Sequence, residues 1–290
     1  MSRDLLVIPH IKIQNANALS SPFTIGFPAM TAWLGAVHAL QRKVNQSGLD
    51  VCFEKTGVVC HEFDLQTYQG PGDFVHSIVG TANPLDKTGS RPAFIEEARC
   101  HLGVSLVISI PELSGSEQEQ LKEIVERSLG GSMKMASGDI LSFSPVRITD
   151  DFSTLKNRLM PGYAIIERRD LMEEAMATMP DALDALLSFL TVRNHCHQTD
   201  NGQVSWQRQR KHGGWLVPVA TGFHGISDIG SAKNSRDSDT PHRFAESLVT
   251  LGEFKMPYQL EAVEELLWQY QTDLENNLYL CQQTQTEQYF

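Results

Sequence analysis

The residues best able to hold a metal or start a reaction in this chain are its imidazoles and thiols. They fall close together as Cys60-His61, Cys100-His101 and, within "RNHCHQ", His195, Cys196 and His197. A zinc site needs two such pairs at defined gaps. Adjacent strand residues point to opposite faces, so neither Cys-His pair can chelate locally, and the loose spacing assigns no metal. His38 and Arg42 stand four apart on a helical stretch, where an imidazole base beside a cation could serve an RNA-cleaving reaction. No G-x-S-x-G, phosphate-binding loop, H-E-x-x-H or paired-carboxylate pattern accompanies them. The sequence therefore assigns no catalytic residue and no cofactor.

Binding chemistry is better supplied. His10, Lys12 and Gln14 share one side of an N-terminal strand, and Arg99, His101 and Ser105 share one side of a later strand. Between the first strand and the following helix lies "QNANALSS", in which Asn15, Asn17, Ser20 and Ser21 offer amides and hydroxyls without charge. Such groups donate to phosphates and meet base edges. The aromatic pair expected on an RNA-stacking sheet face is missing, and the solvated side of a two-layer sandwich accounts for the same pattern equally well. Two further stretches are cationic: "WQRQRKHGGW", with Arg208, Arg210 and Lys211, and "SAKNSRDSDTPHR", with Lys233, Asn234, Arg236 and Arg243.

The elements that must position these groups follow from periodicity. Residues 5–14 read as a half-exposed strand, and 30–44 as a helix burying Met30, Trp33, Leu34, Val37, Gln41 and Val44. Strands are expected over 57–67 and 98–110. Ser116 and Glu119 fit a capping box for a helix of about fourteen residues ending at Gly130-Gly131. A strand pair over 131–148 completes β-α-β-β-α-β, the order of a ferredoxin-like or RRM-like domain. The Gly/Pro-rich stretch 69–95 reads as a projecting arm. Beyond 150 the pattern predicts a strand at "PGYAIIERR", a helical segment over 169–193 broken at Pro180, a polar basic linker over 194–214, a strand at "GWLVPVATG", a polar loop over 227–243 and a C-terminal helix near 258–272. The fold class is thus α+β, with 1–150 as a palm bearing the arm and 151–290 as a helical or thumb segment with closing strands and helix. Trp33 and the arm read as surfaces awaiting burial against partners.

Composition bounds the function. With 24 Lys+Arg against 35 Asp+Glu the net charge is −11, which argues against a free-standing nonspecific nucleic-acid binder but leaves a local basic groove open. No apolar run reaches the ~18 residues of a membrane span. Five cysteines without a C-x-x-C pair fit reduced thiols and a cytoplasmic location.

Taken together, "PHIKIQNANALSSPFTIGFPAMTAWLGAVHALQRKV", "GVVCHEF", "NPLDKTGSRPAFIEEARCHLGVSL", "MPGYAII", "GGWLVPVATGFHGIS" and "NSRDSDTPHRFAESLVTLGEF" resemble the second Csy subunit of type I-F CRISPR surveillance complexes, from about residue 5 to about 270. The resemblance implies a RAMP protein with an RRM-like palm and inserted arm. It implies no RNA cleavage, a grip on the 5′ handle of the CRISPR RNA (crRNA), pairing with the large Csy subunit, and a place beside the first backbone subunit. It leaves open a contact with target DNA near the foot of the complex. Matched onto this sequence, it assigns RNA or large-subunit contact to Lys12, Gln14, Asn15, Asn17, Ser20, Ser21, His38, Arg42, Arg99, His101, Asn234, Arg236 and Arg243. The 194–214 stretch fits the family only loosely. Two readings remain beside this one: an endoribonuclease of the same fold class with His38 as base, and a scaffold that touches protein only.

Overall fold

β1 (Arg3–Asn17) joins a continuously apolar run, Leu5, Leu6, Val7 and Ile8, buried on both faces, to an alternating second half, and helical spacing makes α1 (Met30–Gln46). The computed structural model describes residues 3–79, 85, 87–90, 97–198, 201–231, 237 and 239–284. After α1 come β2 (Lys55–Leu65), β3 (Arg99–Pro111), α2 (Gly115–Leu129) and β4 (Gly138–Ser142). In space the strands lie β2-β3-β1-β4, each antiparallel to its neighbour.

One face of this sheet is sealed by α1 and α2. Leu6, Ile8, Ile11 and Ile13 of β1 meet Met30, Trp33, Leu34, Val37, Leu40 and Val44 of α1 in the main core. Burying each such side chain contributes about 1.5–3 kcal/mol. Gln41, expected on the apolar stripe, is half-buried because its Oε1 accepts the Phe53 amide at 3.1 Å. Trp33 is not an exposed surface: it is 0% exposed, stacks on Phe27 at 5.5 Å and donates Nε1–H to the Pro28 carbonyl. The capping box of α2 sits two residues earlier than the sequence suggests. Ser114 Oγ accepts the Glu117 amide, and Glu117 Oε2 accepts the Ser114 amide at 2.9 Å. Gln118 fixes that register by donating to Asp4 Oδ2 at 3.1 Å, which ties the helix start to β1.

The second half follows with α3 (Phe152–Arg158), β5 (Tyr163–Glu167), α4 (Arg169–Met176), α5 (Ala182–Leu190), β6 (Arg193–Gln198), β7 (Val204–Gln209), β8 (Trp215–Gly225), β9 (Ala245–Lys255), β10 (Trp268–Asp273) and β11 (Leu278–Gln283). The expected break at Pro180 separates α4 from α5. Two expectations are corrected. The linker over 194–214 is largely a ribbon, β6 paired with β7, exposed at all twelve strand positions. The C-terminal helix is absent: 257–259 and 263–265 are single 3₁₀ turns, and the chain then enters β10. Trp268 explains this, because its side chain is 0% exposed and donates to the Ile165 carbonyl at 2.9 Å, anchoring an extended segment between sheets.

Pairing runs β2-β5-β9-β8-β11-β10 and back to β2, through Cys60 opposite Tyr163 and Thr56 opposite Trp268. Six strands thus close into a ring that shares β2 with the first sheet. At Gly222 β8 passes from β9 toward β11, and a Cβ there would lie 2.1 Å from the Tyr279 carbonyl, so only glycine fits. The other face of the first sheet is covered at one end only, where Leu155, Leu159, Leu260, Leu266 and Leu267 pack on Leu5, Val7, Val59 and Val107.

Candidate nucleic-acid interface

The uncovered end of that second face carries the polar groups, and two irregularities in β1 set their positions. The pairing of β1 with β3 slips between Ile8 and Ile11 and again between Ile13 and Ala16. Each slip contains a left-handed residue, His10 at φ 50° and Asn15 at φ 56°. Histidine and asparagine tolerate that conformation better than most residues, and each bulge inserts one residue while keeping Ile11 and Ile13 turned to the core. Lys12 and Gln14 consequently point away from the helices.

At the first bulge His10 and His61 lie ring to ring at 4.4 Å. Ser105 Oγ accepts the His10 amide at 3.0 Å and meets His61 Nε2 at 2.7 Å, while His61 Nδ1 meets the Pro161 carbonyl at 2.6 Å. A carbonyl only accepts, so the neutral ring carries its proton on Nδ1 and Ser105 donates to Nε2. Burial lowers the His61 pKa from its ordinary value, with the Pro161 hydrogen bond opposing and His10 assisting. Ser105 is 1% exposed, so this serine belongs to the buried framework and not to the open polar face expected of it.

At the second bulge Asn15, Gln66, Arg99 and His101 converge. The Asn15 amide donates to His101 Nδ1 at 3.3 Å, and the Gln66 side chain reaches Asn15 Oδ1 at 2.7 Å and His101 Nε2 at 3.3 Å. Arg99 Nη1 donates to the Asn15 carbonyl at 3.4 Å and its Nη2 pairs with Glu97 at 2.6 Å. Lys12 pairs with Glu62, whose carboxyl that hydrogen bond holds below its ordinary range. Gln14 is exposed beside them. Both cations of the patch are therefore already matched by carboxylates.

The remaining sequence-selected residues are placed differently. Asn17 clamps its own turn, with Oδ1 and Nδ2 both bonded to the Leu19 backbone at 3.1 Å. Ser20 and Ser21 bond Thr24 Oγ1 at 2.9 and 2.7 Å within the small hairpin of Leu19–Ser21 and Thr24–Ile25. His38 and Arg42 are exposed on α1, across the sheet from Lys12 and Gln14, so the structure does not bring them to the patch. Arg243 bonds the Ser227 carbonyl and Asn277 Oδ1, both at 2.8 Å, holding two loops together. Lys233, Asn234 and Arg236 lie outside the described residues. The arm begins as a short hairpin of Thr67–Tyr68 with Ser77–Ile78, its tip carrying a fully exposed Phe74, and much of 80–96 also lies outside them.

Sequence reasoning missed Gln66, which joins Asn15 to His101; its alternation with Asp64 and Glu62 along "CHEFDLQT" was the available signal. Among the described residues no group of three or more His, Cys, Asp or Glu could hold a metal ion. The donors of the patch are amides, imidazole and guanidinium, a set suited to acceptor-rich ligands such as phosphate and base edges.

Comparison with known proteins decides the family. The sequence profile of the CRISPR-associated protein family Cas_Csy2 matches residues 6–281, from within β1 to within β11. The chain belongs to the Csy2 family. It is similar to CRISPR-associated protein Csy2 of Pseudomonas aeruginosa (strain UCBPP-PA14), 36% identical over 309 residues that cover 95% of this chain and 94% of the relative. This agrees with the sequence resemblance to the second Csy subunit of type I-F CRISPR systems. Among the described residues no helix is long and apolar enough to cross a membrane.

Proposed function

We propose that this Csy2-family chain is a non-catalytic subunit of a type I-F surveillance complex, gripping the 5′ handle of crRNA with the open end of its palm and pairing with the large Csy subunit beside the first backbone subunit. The supporting observation is the convergence of Asn15, Gln66, Arg99 and His101 on the uncovered sheet face, next to the exposed Gln14, in a chain of this family. The order β2-β3-β1-β4 supports an RRM-like palm within residues 1–150, with 69–95 as an arm laid across the guide. Lys12 lines the approach, and His38 and Arg42, on the helical layer, face a protein neighbour or a second stretch of RNA. Asn17, Ser20 and Ser21 shape the adjoining turn, while Asn234, Arg236 and Arg243 form a late contact. Contact with target DNA at the foot of the complex, and a cytoplasmic location, belong to the same reading.

The test is co-purification with the other Csy proteins, followed by sequencing of the retained RNA. RNA bearing the repeat-derived handle is expected to be held, and scrambling the handle is expected to release it; equal retention would reject handle recognition. Repeat RNA incubated with the chain alone is expected to stay intact. Cleavage that disappears in His38→Ala would establish the ribonuclease reading instead.

A further inference from the structure

We infer that the cleft where β1 loses its edge partner holds a backbone phosphate of single-stranded RNA between Arg147 and Arg158. The pairing of β4 with β1 ends at Lys12 opposite Ser142, and β1 regains a partner only where Leu5, Leu6 and Val7 meet Thr149, Ile148 and Arg147. Residues 143–146 span the gap, held by the Ser144 amide on the Pro9 carbonyl at 2.9 Å. The bulge at Pro9 and His10 opens the same side. The result is a cleft of about 610 Å³, lined by His10, Lys122, Arg147 and Arg158 and by no carboxylate. That volume falls within the range of small-ligand sites and suits a nucleotide, not a duplex.

The state of these cations separates Arg147 and Arg158 from the cations of the polar patch. Lys12, Arg99, Lys134, Arg168 and Arg169 all pair with carboxylates, and Lys122 is held by Glu119 at 2.6 Å. Arg147 and Arg158 are exposed, and their guanidinium groups have neither ion pair nor hydrogen bond among the described residues. A guanidinium fork matches phosphate geometry, and a concave wall concentrates its field. In a chain of net charge −11, two unmatched arginines on one cleft are aimed at an anion brought from outside. The cleft also shares the second face of β1 with the polar patch: Val7 to Gln14 spans roughly 20 Å at about 3.3 Å per residue. A strand lying on Asn15 and His101 therefore continues over Arg147 and Arg158. This inference rests on the RNA-binding reading.

The experiment measures affinity for handle RNA against salt in the assembled Csy complex, comparing the parent with Arg147→Gln/Arg158→Gln and with Lys43→Gln/Arg127→Gln, which removes the same charge elsewhere. One single-strand phosphate contact predicts that the cleft variant loses about 0.7 from the slope of log affinity against log salt, while the control keeps the parent slope. An unchanged slope in the cleft variant, or an equal loss in both variants, overturns the inference. If the parent complex does not discriminate handle from scrambled RNA, the broader reading fails instead. Equal yield and melting temperature of the complexes exclude misfolding, and displacement of the RNA by inorganic phosphate as effectively as by competing RNA would mark a small-anion site and also overturn the proposal.

Discussion

His61 shows how one side chain serves both framework and pH response. Its ring is locked between Pro161 and Ser105, and burial keeps its pKa below 6.5 in the folded chain. As pH falls through about 6.5, the unfolded chain binds a proton that the folded one refuses, so unfolding becomes easier. The stabilising contribution is complete above that value and is lost progressively as pH approaches the lower folded pKa. The melting temperature is expected to drop between about pH 7.5 and pH 5.5, and His61→Gln is expected to flatten this dependence even if it lowers stability overall. Thermal melts of both proteins across that range check it; parallel pH profiles would refute the assignment.

At the scale of elements, capping gives a local prediction. Ser114→Ala removes the hydroxyl that accepts the Glu117 amide and is expected to cost about 1 kcal/mol, read by denaturant unfolding, whereas Ser116→Ala, in the register first suggested by the sequence, is expected to cost little. Elements with strong periodicity were legible: α1, α2, β1, β3 and the break between α4 and α5 lie where residue spacing puts them. The C-terminal segment misled because "LEAVEELLWQYQTDLE" carries helical propensity, and only the long-range anchor of Trp268 on Ile165 makes it extended. The ribbon of β6 and β7 was invisible because a strand without a buried face has no alternation. For the candidate site, Gln14, Arg99 and His101 were readable as polar positions on strands, and Asn15 as part of a polar loop, whereas β1 runs on through it to Asn17. Which face stayed open was not, since it depends on where residues 257–267 end their cover of the sheet.

For the molecule as a whole, the ring built on β2 makes the two halves interdependent. A chain ending at residue 256 lacks β10 and β11, which leaves the β2 edge at Thr56 and the β8 edge at Gly222 and Phe223 without partners. Unpaired edges recruit other chains, so this truncation is expected to aggregate where the full chain stays dispersed, as size-exclusion chromatography would read directly. A soluble, monodisperse truncated protein would mean that closure is dispensable.

The same closure sets a timetable for birth on the ribosome. The edge of β2 that Trp268 will meet is synthesised about 200 residues before Trp268 itself. At ordinary elongation rates of about 5–20 residues per second it waits roughly 10–40 s, longer than hairpins or helices need to form. The first sheet can begin to assemble during synthesis, but the ring that shares its β2 is finished only by the last strands. Nascent chains of this protein therefore pass through an interval in which protection of that edge must come from outside the finished fold.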